Sequence, residues 1–259
     1  MEYPYLYETH MHTSQASRCA VSTGAEMAEA YHRAGYTGVI VTDHHYGGNC
    51  AVPRSLGWGE WVDRFCAGYE DARERGEKLG LDVFFGWEAG FGGLEFLVYG
   101  LTPEWMREHP ELREPELCGG AGVGAPEKLY ALVHAAGGMM IHAHPYREAP
   151  YIDGVRLYPD CIDGVEIVNA AHHSPLSHYN PSFDERAALY AVRHDFAVTA
   201  GSDAHGVQIP GGGMAFGRRL GSAQDFCRAV LEGEDCLLTD GQRWYDRHGD
   251  PVDADRVSE

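Results

Sequence analysis

Apolar residues arrive in short runs along the chain, and most runs end on polar, titratable residues. Tyr3, Tyr5 and Tyr7 alternate with other residues, the period of a half-buried strand, and that run ends at Glu8-Thr9-His10-Met11-His12. Thr23-Gly24-Ala25-Glu26 reads as a capping box opening a helix to about Ala34. Residues 36–41 form a buried strand that ends in Thr42-Asp43-His44-His45. An amphipathic helix is predicted over 58–79, then a strand over 81–85 delivering Gly86-Trp87-Glu88, then a fourth strand over 94–101. Residues 104–124 are acidic, glycine-rich and weakly periodic, and read as a loop or lid over a site mouth. After a helix over 126–136, residues 139–141 make a strand running into His142-Ala143-His144-Pro145. A strand over 164–168 ends near Asn169 and the pair His172-His173, and a helix over 183–194 precedes a strand that opens into Gly201-Ser202-Asp203-Ala204-His205. Ser222 to Asp225 caps a last helix.

Strands alternate with helices and the chemistry follows the strands. That is the βαβ rhythm of a parallel sheet with its site at the carboxyl ends, an α/β barrel. With no linker or internal repeat, residues 1–240 read as one barrel domain and 241–259 as a polar, frayed C-terminal tail.

Charge narrows the partners. The net charge is −19, from 39 acidic against 20 basic residues, so long nucleic acid and anionic membranes should be repelled. Bound metal ions are the cationic site such a chain can offer. The seven cysteines are scattered without a CxxC pair, which argues against a disulfide framework or a zinc ribbon. With neither a charged-then-apolar leader nor an 18-residue apolar run, the expectation is a soluble protein of a reducing cytoplasm. Oligomeric state has no signature here.

Histidine placement carries the chemistry. Two histidines two apart on a strand point to one face and seat a transition metal, although a lone HxH is a weak signal. Nine of the fifteen histidines (His10, His12, His44, His45, His142, His144, His172, His173 and His205) follow apolar strand-like runs. The other six, His178 among them, fall in predicted helices, loop or tail and read as solvated. Asp43, Glu88 and Asp203 join the first group at strand ends. Ligands drawn from separate strands to one rim are what a multinuclear site requires.

In order and spacing, Thr9-His10-Met11-His12-Thr13, Thr42-Asp43-His44, Glu88, His144-Pro145 and Ser202-Asp203-Ala204-His205 resemble the polymerase-and-histidinol-phosphatase (PHP) superfamily. The resemblance implies a distorted (β/α)7 barrel holding two or three Zn, Mn or Fe ions and hydrolysing phosphoesters. It places the first ion on His10, His12, Glu88 and Asp203, the second on the bridging Glu88 and His144, and the third on His44 and His205. His142 is the alternative to His144 by parity, and His45 has the opposite parity from His44 and belongs behind the ligands.

Two departures stand out. Family members carry an acidic residue in the turn after HxH, whereas Thr13 to Cys19 contains no carboxylate; the third site is weak, or completed by Cys19 or water, with a free buried thiol the favoured reading of Cys19. Where the family has a histidine after the bridging glutamate, this chain offers Glu95, either a replacement ligand or an exposed strand-edge residue. Arg147 resembles the family's phosphate contact, its guanidinium suiting a phosphate fork. The resulting expectation is metal-activated water attacking a small phosphomonoester, with Arg147 stabilising charge and His205 or His173, if unligated, assisting the leaving oxygen. The rival readings are a mononuclear metal amidohydrolase and a non-catalytic metal-binding module; Lys78 and Lys128, the only lysines, sit in predicted helices rather than at the strand end a carboxylated lysine bridge needs.

Overall fold

The computed structural model describes residues 2–119, 125–175, 177, 179–209 and 211–253. His178 and residues 120–124 of the predicted loop lie outside these. The first half of the chain alternates as expected: β1 (Tyr5–Met11), α1 (Gly24–Arg33), β2 (Gly38–Val41), α2 (Trp58–Phe65), α3 (Ala67–Leu79) and β3 (Asp82–Phe91). The Thr23–Glu26 capping box is formed in both directions. The helix predicted over 58–79 is broken at Cys66, whose ψ of −4° interrupts it for one residue while Cys66 and Glu70 keep their backbone bonds.

β4 (Leu94–Tyr99) follows β3 through a glycine turn and runs antiparallel to it, and β5 (Met139–His142) pairs antiparallel with β4. The sheet is therefore mixed: β1–β2, β2–β3, β5–β6 and β6–β7 are the parallel pairs, with β6 spanning Gly164–Asn169 and β7 Ala197–Gly201. Residues 103–118 form two short helices, α4 (Pro103–Glu108) and α5 (Pro115–Cys118), around a 3-10 turn, each opening on proline. They replace the loop expected there; elements of four to six residues are too short to show a period. Among the described residues the remaining α-helices are α6 (Pro126–Ala135), α7 (Ser182–His194) and α8 (Ala223–Leu231).

Closure comes from the end of β7. The first half of β1 pairs with β8 (Gly213–Phe216), while its second half takes the segment after β7, with Asp203 N donating to His10 O (2.8 Å) and His12 N donating to Ala204 O (2.9 Å). The eleven-stranded sheet is thereby curled into a barrel-like half, and β9 (Cys236–Thr239), β10 (Trp244–Tyr245) and β11 (Pro251–Val252) extend it outward. Residues 244–252, expected to be frayed tail, are thus partly sheet. Tyr245 is buried and donates to Asp240 at 2.6 Å.

Helices α1 and α3 cross on glycines. A Cβ at Gly24 would overlap the carbonyl oxygen of Gly68, and one at Gly68 would overlap Thr13 Oγ1 and sit 3.2 Å from Asp43 Oδ2. Gly68→Ala should therefore cost about 1–3 kcal/mol by overpacking, read by urea unfolding. A stability unchanged from the parent would show that the crossing can relax.

Candidate metal centre

The carboxyl ends of the parallel strands share one rim, and β4, running the other way, brings its amino end to the same rim. His10 lies on β1, His44 follows β2, Glu88 lies on β3, Glu95 on β4, His144 follows β5, and Asp203 and His205 follow β7. Beyond β2 the chain stays beside β3: His45 N donates to Glu88 O (2.8 Å) and Glu88 N to Asp43 O (3.0 Å), which sets His44 against Glu88.

Glu88 is the centre. It is 1% exposed, and neither carboxylate oxygen has a hydrogen-bond partner among the described residues. Oε1 lies 3.3 Å from His10 Nε2 and 3.4 Å from His144 Nε2. Oε2 lies 2.8 Å from His44 Nδ1 and 3.6 Å from His12 Nε2. Asp203 Oδ1 approaches His12 Nε2 at 3.1 Å and His10 Nε2 at 3.5 Å. Glu95 reaches His44 and His144 at 3.6 and 3.5 Å. Buried acceptors and imidazole nitrogens converging without hydrogen-bond geometry fit cations, and among the described residues four groups of donors lie within 4.8 Å of one another: His10–Glu88–His144, His10–His12–Asp203, His44–Glu88–Glu95 and His12–His44–His205.

Hydrogen bonds behind the rim assign the tautomers. His10 Nδ1 donates to Glu166 Oε1 (2.9 Å), leaving its Nε2 lone pair toward Glu88. Ser17 gives its only proton to Asp43 (2.6 Å), so His12 Nδ1 donates to Ser17 Oγ (3.3 Å) and its Nε2 faces inward. His205 Nδ1 donates to the Asp203 carbonyl (2.7 Å), which frees Nε2. Glu8 accepts from the backbone of His10 and Ser202 and from Tyr31.

Electrostatics divide the cluster. Burial opposes charge on His10, but the carboxylates of Glu166, Asp203 and Glu88 outweigh it and raise His10 well above an ordinary imidazole. His44 is raised likewise, burial being overcome chiefly by Glu88. His12, buried and beside His44 and His205, is lowered to about 3. His144, buried and near Arg147, is lowered to about 4. Burial and then the charge of Glu88 push Glu95 up to about 8.

Several expectations need correction. His142 is not at the rim: β5 ends there, His144 turns out with φ of 30°, and the His142 ring stacks on Phe96 at 4.7 Å. Parity fails because His144 is no longer on the strand. His173 is packed between Asp184 (2.9 Å) and Asp240 (3.2 Å), behind the site rather than over it. His45, by contrast, lies behind the ligands as expected, caged there by Trp58, Trp61, Phe65 and Trp87, where burial lowers it to about 3. Cys19, expected to be buried, is exposed and lines the same cavity as His44 and His205.

Arg147 is buried and largely committed. Its Nη1 donates to Asp203 Oδ2 (2.6 Å) and its Nε to His172 Nε2 (3.1 Å), while His172 Nδ1 bonds Asp184 (2.5 Å). Only Nη2 lacks a hydrogen-bond partner among the described residues. Sequence reasoning missed Glu166, Ser17 and Asp184 as supports; each is a single polar residue whose partner lies far away in sequence or across a turn, so no spacing marks it. A cavity of about 710 Å³ opens above the cluster, with His44, Glu95, Arg147, Asp203 and His205 on its walls. Among the described residues no helix is long and apolar enough to cross a membrane, and all seven cysteines are free, six of them buried.

No protein-family model matches the chain, and no curated protein matches it. Solved structures share its fold. A two-domain protein from Bacteroides vulgatus containing a predicted PHP-like metal-dependent phosphoesterase is similar with a TM-score of 0.67 at 14% identity, over 93% of this chain and 66% of that one. The chain thus spans just under two thirds of that relative. A Bifidobacterium adolescentis protein, its own assignment as a metal-dependent phosphoesterase provisional, gives a TM-score of 0.52 at 19% identity, over 87% of this chain and 95% of that one. At these identities the likeness is one of architecture: the chain shares the fold of PHP-like metal-dependent phosphoesterases.

Proposed function

We propose that the protein is a metal-dependent phosphoesterase that hydrolyses a small phosphomonoester with two or three divalent Zn, Mn or Fe ions. The observation that carries this reading is Glu88, a dry carboxylate whose two oxygens each face two imidazoles. It is the natural bridge between two cations. One ion is assigned to His10, His12, Glu88 and Asp203, a second to Glu88 and His144 with Glu95 beside them, and a third to His44 and His205. When bound, such ions supply Lewis acidity toward phosphate oxygens and lower the pKa of water toward neutrality.

The chain's own residues orient and select. With Nε and Nη1 engaged by His172 and Asp203, Arg147 meets a phosphate through Nη2, its one nitrogen without a partner among the described residues. Its clamp on Asp203 and His172 fixes that donor before substrate arrives, which lowers the ordering cost of binding. His205 is assigned to an ion and His173 lies behind the site, so no protein acid is assigned to the leaving oxygen. The cavity suits a metabolite-sized ligand, and the net charge of −19 disfavours long nucleic acid. Free thiols and an acidic surface suit a reducing cytoplasm. The binuclear amidohydrolase alternative finds no lysine: Lys78 ends α3, and Lys128 is in the first turn of α6, paired with Glu116.

Protein purified without a metal-affinity tag should carry at least two transition-metal ions per chain by elemental analysis. Less than half an ion per chain, with no uptake on reconstitution, contradicts the proposal. Against a panel of phosphorylated metabolites, Glu88→Gln should lose metal and at least about a hundredfold in turnover. Arg147→Ala should raise KM while keeping its metal; unchanged KM would remove Arg147 from substrate binding. Lys78→Ala and Lys128→Ala should leave hydrolysis intact, and loss of activity in a folded lysine variant would revive the amidohydrolase reading. Full metal without turnover on any phosphoester would favour a non-catalytic module.

A further inference from the structure

Two partners hold Arg147, and only one of them is free of metal duty. Asp203 takes Nη1 on Oδ2 (2.6 Å), but its Oδ1 faces His12 and His10, so this carboxylate is shared with the ion seat. The other partner is His172, whose Nε2 accepts from Arg147 Nε at 3.1 Å. His172 lies in the 3-10 turn Ala170–His173 after β6, is wholly buried, and belongs to none of the four donor groups. An arginine only donates, so His172 Nε2 is the unprotonated ring nitrogen and Nδ1 carries the proton. That proton meets Asp184 Oδ1, 2.5 Å away, in the first turn of α7. Burial pushes the Asp184 carboxyl up, but its bonds from His172 and His173 outweigh burial and hold it below its ordinary value. Asp184 is therefore an ionised acceptor. Its Oδ2 takes Asn169 N (2.9 Å) and His173 Nε2 (2.9 Å), and Phe183 stands edge-on to the His172 ring with centroids 5.2 Å apart. Turning either His172 or Asp184 would leave a buried polar atom unpaired.

We propose that Asp184 is a positioning residue for phosphate binding, acting through His172 to fix the Arg147 guanidinium and keep Nη2 free for the substrate. No proton changes hands. The pair presents an arginine that is already oriented, which lowers the ordering cost of binding. Asparagine at 184 breaks the pattern in either orientation. With its oxygen toward His172, its NH2 group confronts the N–H of Asn169 and of His173. With its NH2 toward His172, it favours the tautomer that sets a ring N–H against Arg147 Nε–H. This inference rests on the assignment of Arg147 as the phosphate contact made above.

The test titrates metal-loaded protein with inorganic phosphate by calorimetry and assays the same samples on the best phosphomonoester of the panel. Asp184→Asn should keep its metal, bind phosphate about tenfold more weakly, and raise KM more than it lowers kcat. In an Arg147→Ala background the same substitution should add nothing, because the arginine it positions is gone. His172→Gln, whose carboxamide oxygen can stand in for Nε2, should keep most of the affinity that His172→Leu loses; this pair carries the test alone if Asp184→Asn does not fold. Three results overturn the positioning role and leave the metal-centred function standing. They are parental phosphate affinity in folded Asp184→Asn, losses that add to those of Arg147→Ala, and His172→Gln binding no better than His172→Leu. A parent that takes up metal but neither binds phosphate nor hydrolyses any phosphoester overturns the proposed function, and this inference with it.

Discussion

A carboxylate sealed from water, with imidazoles on every side, governs this molecule. Removing Glu88 from water costs several kcal/mol unless opposite charge meets it. The four surrounding rings cannot meet it uniformly: His10 and His44 are raised, while burial above all, helped by His44 and His205 at His12 and by Arg147 at His144, lowers those two to about 3 and about 4. The proposed dications would balance Glu88, Asp203 and Glu95 together and give every inward nitrogen lone pair a partner. Protons alone cannot do both.

The rest of the fold holds that arrangement in place. Glu166 turns His10, the Asp43–Ser17 pair turns His12, and the Asp203 carbonyl turns His205, each from the side away from the centre. Asp43 also binds the backbone and hydroxyl of Thr13, and Gly68 of α3 packs on that contact, so a helix crossing bears on a ligand-bearing loop. Strain sits where ligands are aimed. His144 and Asp203 are two of the three non-glycine residues with positive φ among the described residues, and Arg147 bonds one of them directly.

Most of the rim was legible in the sequence. Strand ends announce themselves through apolar runs, and His10, His12, His44, Glu88, His144, Asp203 and His205 each follow or close one. Glu95, ambiguous in sequence, is resolved by β4 running antiparallel, which turns its amino end to the rim. Parity misplaced His142 because it assumes a continuous strand, and the backbone leaves β5 one residue too early. The supports were illegible for another reason: Glu166 lies 156 residues from His10, and nothing local distinguishes it from any other strand glutamate. Short strands such as β10 and β11 carry too few residues to show a period, which is why the end of the chain read as tail.

The bridging role of Glu88 is tested most directly by anomalous diffraction from crystals of the metal-loaded protein, collected at the absorption edge of whichever ion elemental analysis finds. Two peaks about 3.5 Å apart, one beside each Glu88 oxygen, are the predicted result. A single peak bound away from Glu88, or none in protein that has taken up its metal, would contradict the account.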